Sequence, residues 1–180
     1  MPDQPSLVAL LCPTCGADIA ATDGEFAWSC RHCEAGVRLD EQLGSVLLDI
    51  GYDAGVAPGS TGAPYWVVTG RVTVTRKTFG FFDANAESGR QWRDPVQFFI
   101  PATLAGLDTI ADRGPALLLS PPPFSPGPIR PFSAVTTPPA DLPALAEFIV
   151  MGVETGRSDK LSDLEVSVAL DAPVLRVLAS

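Results

Sequence analysis

The clearest hydrophobic pattern in the chain is an alternation. Val68, Val72 and Val74 share one parity, and Thr69, Arg71, Thr73, Thr75 and Lys77 share the other. A period of two built on β-branched residues predicts a half-buried strand, with the valines inward and the Arg71/Thr73/Thr75/Lys77 face toward solvent. Val96-Gln97-Phe98-Phe99-Ile100, stopped by Pro101, predicts the return strand, so that Trp66 to Ile100 reads as one hairpin. The polar stretch from Asp83 to Asp94 is its long connection, with Arg90-Gln91-Trp92-Arg93 at the tip. Leu164, Val166, Val168 and Leu170 alternate with Glu165, Ser167 and Ala169 and predict another strand; Val174 to Leu178 predicts a last one after the Asp171-Ala172-Pro173 turn.

Two stretches change period. Leu142, Leu145, Ile149 and Val153 form a helical stripe, with Asp141 as N-cap and Gly156 as the stop. A shorter helix is expected through Leu104, Leu107 and Ile110, capped by Thr103 and ended by Gly114-Pro115. Residues 115–139 hold nine of the eighteen prolines, which predicts an extended connection wrapping the surface. Residues 51–64 carry four glycines with Pro58 and Pro64, the composition of a linker. The expected organisation is therefore residues 1–44 as one unit, 45–64 as a strand and linker, and 65–180 as an α+β domain containing the Pro-rich connection.

The chemistry sits in the first unit. Cys12-Pro13-Thr14-Cys15 and Cys30-Arg31-His32-Cys33 are two C-x₂-C knuckles, fourteen residues apart, and they use every cysteine in the chain. That spacing is that of a structural zinc site, because two intervening residues let both sulfurs of a pair reach one borderline-soft Zn²⁺ in tetrahedral S₄ coordination. Gly16 follows the first knuckle, where a positive φ is needed; Glu34 holds the equivalent place in the second, whose turn is expected to be less regular. A redox C-x-x-C needs one pair between a strand and a helix, and two disulfides need an oxidising compartment. Iron is the remaining alternative, since Cys-Pro-Thr-Cys-Gly also resembles one rubredoxin knuckle. His32, the sole histidine, reads as a solvated residue. Short strands at Leu7–Leu11, Phe26–Ser29 and Val37–Leu39 complete a three-stranded zinc ribbon too small to fold without its metal. Trp28 is expected to shield the site.

Cys12-Pro13-Thr14-Cys15-Gly16-Ala17, Cys30 to Cys33, Pro64-Tyr65-Trp66 and Phe98-Phe99-Ile100-Pro101-Ala102 together resemble a group of bacterial zinc-ribbon proteins with a CPxCG…CxxC ribbon and a β-rich C-terminal domain. The ribbon itself is similar to generic ribbons of the TFIIB type. The resemblance implies a metal site and a β-rich companion domain, and supplies no substrate or catalytic residues.

Charge narrows the functional classes. The net charge is −9, and residues 1–41 hold seven acids against Arg31 and Arg38, which disfavours phosphate. Basic and aromatic residues gather only between Arg71 and Arg93: Arg71, Arg76, Lys77, Arg90 and Arg93, with Phe79, Phe81, Phe82 and Trp92 among them. Such a mixture can stack on single strands, or dock on an acidic protein. Arg71, Lys77, Arg90, Trp92 and Arg93 are the candidate partner-binding residues. No G-x-S-x-G, H-E-x-x-H or Walker A sequence is present, and four cysteines close a zinc shell that catalysis would need open. The expectation is a non-enzymatic adaptor with one structural Zn²⁺, or alternatively a nucleic-acid-associated factor using the basic hairpin 66–100. Reduced thiols, no basic leader at Met1-Pro2-Asp3 and no membrane-length apolar run lead to the cytoplasm as the expected compartment.

Overall fold

A computed structural model describes residues 10–40, 42–79, 84–103 and 106–179. The fold is α+β, as the sequence pattern predicts. β1 (Ala27–Ser29), β2 (Gly36–Asp40) and β3 (Gly44–Leu47) form an antiparallel N-terminal sheet in the order β1-β2-β3. β4 (Ile50–Tyr52) leaves it and joins a larger sheet by pairing in parallel with β8 (Val174–Leu178). The segment 45–64, read as a strand and linker, is thus divided between two sheets. The expected strand Leu7–Leu11 lies mostly outside the described residues; Leu11 forms an isolated bridge with Asp18.

The larger sheet is built on β5 (Ala63–Thr78), sixteen residues long. One edge pairs antiparallel with β6 (Val96–Pro101), Trp66 opposite Ile100. The other edge pairs first with β8 and then with β7 (Leu161–Leu170). β7 and β8 are in effect one strand interrupted by a bulge. Gly70 faces Leu170 and Val67 faces Val174, so Asp171-Ala172-Pro173 lies opposite two residues, with the Asp171 N–H donating to the Thr69 carbonyl at 2.9 Å. The extra residue reverses parity: even positions such as Val168 point to the core in β7, and odd positions Leu175 and Val177 do so in β8.

Between β5 and β6 the chain forms α1 (Ala84–Gln91), a helix where a polar connection was expected. α2 (Leu107–Leu119) and α3 (Leu142–Thr155, preceded by a 3₁₀ turn at Pro139–Asp141) pack together and cover one face of the sheet. α2 corrects the sequence reading. It begins after Gly106 and runs through Gly114-Pro115, the pair expected to end it. Packing supplies the reason: a Cβ at Gly114 would lie 2.5 Å from Ile149 Cγ1, so glycine permits the close approach of α3. Pro115 removes one helix hydrogen bond and rests its ring against Gly152 instead.

The core beneath the helices gathers Trp66, Val68, Val72, Phe98, Ile100, Leu142, Ile149 and Val168. The opposite face of β5 buries Tyr65 and Val67 with Phe99 and Leu178, so this half of the strand is apolar on both sides. The Pro-rich connection wraps the molecule, with bridges at Pro126 to Asp53, Phe132 to Gly62 and Val135 to Ala27. It thereby ties the N-terminal sheet to the larger one. Phe26 stacks on Trp66 with ring centroids 6.5 Å apart, and the Tyr52 hydroxyl lies against the Gly36 backbone. Among the described residues no helix is long and apolar enough to cross a membrane.

Candidate metal centre

The two knuckles are built alike. In the first, the Gly16 N–H donates to the Cys12 carbonyl at 2.9 Å and the Cys12 N–H to the Ala17 carbonyl at 2.8 Å. In the second, the Glu34 N–H donates to the Cys30 carbonyl at 2.8 Å and the Cys30 N–H to the Ala35 carbonyl at 2.9 Å. Gly16 has φ 74° and Glu34 has φ 61°. The second turn is therefore as regular as the first, because Glu34 takes the left-handed conformation a glycine would take more readily. Gly36 has a different role: a Cβ there would lie 3.1 Å from Ile50 and 3.3 Å from the Tyr52 hydroxyl, so glycine keeps the seam to β4 closed.

These turns bring the four sulfurs together. Cys12 Sγ lies 3.6 Å from Cys33 Sγ, Cys15 Sγ lies 3.7 Å from Cys30 Sγ, and all four fall within 4.8 Å of one another. Sulfurs bound to one tetrahedral zinc at about 2.3 Å are about 3.8 Å apart, so the separations fit a single ion. Cys12, Cys30, Trp28, Val37 and Ile19 form a small buried cluster around the group, while Cys15 is exposed. His32 is exposed and is not among the grouped donors. Trp28 covers the inner side, its Nε1 donating to Glu25 Oε2 at 2.8 Å.

The grouped thiols differ in how readily they ionise. Burial works against the Cys12 thiolate, but the N–H groups of Cys15 and Thr14 outweigh it and hold this thiol down to about 6. The Ala35 N–H favours the Cys33 thiolate; burial and the three neighbouring sulfurs outweigh that and push it up to about 12. Four thiolates at these separations repel one another, and a divalent cation among them removes the repulsion. Beside the second knuckle opens a cleft of roughly 440 Å³ whose lining includes Asp18, Glu25 and Glu34 with Arg31. It extends the anionic character of this lobe.

The candidate partner-binding residues do not form one surface. Arg71, Arg90 and Arg93 are exposed. Lys77 is exposed and paired with Asp163 at 2.8 Å, opposite it on β7. Glu165 stands on the same face, so the strand face that carries Arg71 and Lys77 has no net excess of positive charge. Trp92 is a correction: it is 6% exposed and belongs to the main core. Its Nε1 donates to Glu154 Oε1 at 2.7 Å.

Glu154 is the centre of a buried polar network that the sequence reading missed. Ser88 Oγ donates to Glu154 Oε2 at 2.9 Å, and the Arg76 guanidinium lies 3.4 Å from the same oxygen and 2.7 Å from Asp159. Arg157 adds Glu154, Glu87 and Gln91. Burial works against the Glu154 charge, but hydrogen bonds from Arg157, Trp92 and Ser88 and the charge of Arg157 hold its carboxyl below its ordinary range. The network fastens α1 and β5 to the end of α3. One signal was available: Arg76 shares the even parity of Val68, Val72 and Val74 and so had to point inward.

Comparison with protein-family models, with curated proteins and with solved structures finds no match.

Proposed function

We propose that Cys12, Cys15, Cys30 and Cys33 hold one Zn²⁺ as a closed tetrathiolate, and that its work is structural. The chain is then a non-enzymatic, zinc-stapled interaction module of a larger protein assembly. The sulfur separations of 3.6 and 3.7 Å carry the metal reading, because they match the edge of a zinc tetrathiolate. Structural use follows from the surroundings. All four positions of a tetrahedral ion are taken by protein, and Cys12, Cys30 and Trp28 bury the inner side. The metal would supply folding energy to a lobe whose own buried cluster, among the described residues, is five residues.

Elemental analysis of protein produced without added metal tests the first part: one zinc per chain is expected, and iron or no metal rejects it. Recovery of a specific protein partner at a defined stoichiometry from the native host, lost when the zinc is removed, tests the second.

A further inference from the structure

β7 pairs with β5 on one side only; among the described residues no strand lies along its other edge. The direction of its backbone groups follows from two bonds. The Asp171 N–H points to β5 and the Val168 N–H points away, toward Glu147 Oε1 at 3.4 Å. From Asp163 to Ala169, odd positions of β7 therefore bond to β5, and Leu164, Val166 and Val168 present their N–H and C=O groups outward; the register shifts at Ser162, between the Asp163 and Leu161 pairings. An edge of this length is a template for another strand.

Two carboxylates guard it. Glu147 reaches the Val168 N–H, and the Asp163 carboxylate lies against the Leu164 N–H. Along the outer face of the same edge stand Asp163 and Glu165, both exposed; along the inner face stand Leu164 and Val166, both half-buried. Asp163 is already paired with Lys77 at 2.8 Å, so Glu165 is the acid on the outer face open to a cation of an incoming strand, which would set apolar side chains beside the leucine and valine on the other.

We propose that the outer edge of β7 is a docking site for an extended segment of another protein in which basic and apolar residues alternate, added as an antiparallel strand. A basic residue would lie across from Glu165, and another across from Asp163 would compete with Lys77 for its carboxylate and draw it off the Leu164 amide. Apolar residues would extend the inner face over Leu164 and Val166. The acidic net charge of the chain favours such a partner over a second copy of itself. This inference names the partner of the interaction module and rests on that reading.

The probe is the capped peptide Lys-Val-Lys-Val-Lys-Val-Lys, titrated into the zinc-loaded full chain and followed by amide NMR and hydrogen exchange. Slowed exchange and shifts at Leu164, Val166 and Val168 are expected, with the matching Glu/Val peptide inert. N-methylation of the peptide's valines, whose N–H groups face β7, abolishes binding; N-methylation of its lysines spares it. Glu165→Lys, an exposed change, weakens binding about fivefold, the scale of one cross-strand charge pair. Glu147→Ala, which vacates the Val168 amide, strengthens it. Shifts elsewhere, equal binding of the acidic peptide, indifference to valine methylation, or concentration-dependent protection of β7 by a second copy would each overturn the site. Zinc content is measured on the same samples. If a native partner is retained by Glu165→Lys and by Glu147→Ala with equal affinity, the edge is rejected while the module reading stands.

Discussion

Glu34 is a non-glycine residue in a left-handed turn, in the position that Gly16 occupies in the other knuckle. A side chain in that conformation costs about 1–2 kcal/mol. Glu34 is exposed and its turn is otherwise complete. Glu34→Gly is therefore expected to stabilise the lobe by about 1 kcal/mol, less the added flexibility of glycine in the unfolded chain. Gly16→Ala should do the reverse. Thermal unfolding and the chelator concentration needed to strip the metal should move together in both variants. Trp92 and Arg93 give a second contrast. Trp92→Ala opens the core and removes one of the donors to Glu154, at about 3–5 kcal/mol. Arg93→Ala, at an exposed position, should change the melting temperature little.

The reason Trp92 escaped a sequence reading is physical. Its partners in the core and in the network come from α3, many residues away, and α1, which swings it inward, is short and polar. Local pattern reports periodicity, and an eight-residue helix with no apolar side chain larger than alanine has little to report. The cysteine spacing and the alternation in β5 and β7 were legible because each is a local rule with one solution. Gly114-Pro115 was misleading for the opposite reason. The local stop signal is real, but the contact with Ile149 overrides it.

At the level of elements, the network around Glu154 acts as one rivet through β5, α1 and α3. Its charge state sets a pH dependence. The folded carboxyl lies below the ordinary value of 4.5, so its contribution is present above that pH and is lost as pH falls through the lower folded value. Denaturant midpoints measured from neutral to acid pH should fall more steeply for the native chain than for Glu154→Gln. The neutral variant should already be destabilised at pH 7, since Arg76 and Arg157 lose their counter-charge. Arg76→Met removes a fully buried cation and leaves the Glu154 and Asp159 carboxylates; a loss of about 3–5 kcal/mol is expected. If either variant unfolds at the native midpoint, the network contributes nothing to holding the three elements together.

For the whole molecule the question is whether the two sheets melt together. The sequence reading gave them separate cores, and on that view Cys30→Ser unfolds the ribbon alone. The contacts argue for coupling: Ala27 belongs to the main core, Phe26 stacks on Trp66, and Val135 of the Pro-rich connection pairs with Ala27. Metal loss should therefore lower the melting temperature of the larger sheet as well, reported by the fluorescence of the buried Trp66 and Trp92. A native-like second transition in Cys30→Ser would show instead that the seam carries no energy.

The pairing of β4 with β8 has a consequence for how the chain is made. Ile50–Tyr52 can take its place only beside Leu175–Val177, which a ribosome delivers after all of β5, β6 and β7. Ala27 likewise waits for Val135, and the first half of β5 waits for β8. The knuckles need nothing beyond their own stretch of chain, so metal capture can begin early in translation. Everything it is to be docked against arrives later. During synthesis, a lobe that had captured a metal early would emerge ahead of an unpaired β5, whose apolar flanks stay uncovered until β8 has emerged. The burden on chaperones should therefore fall on the nascent sheet, with the cysteines already sequestered from oxidation.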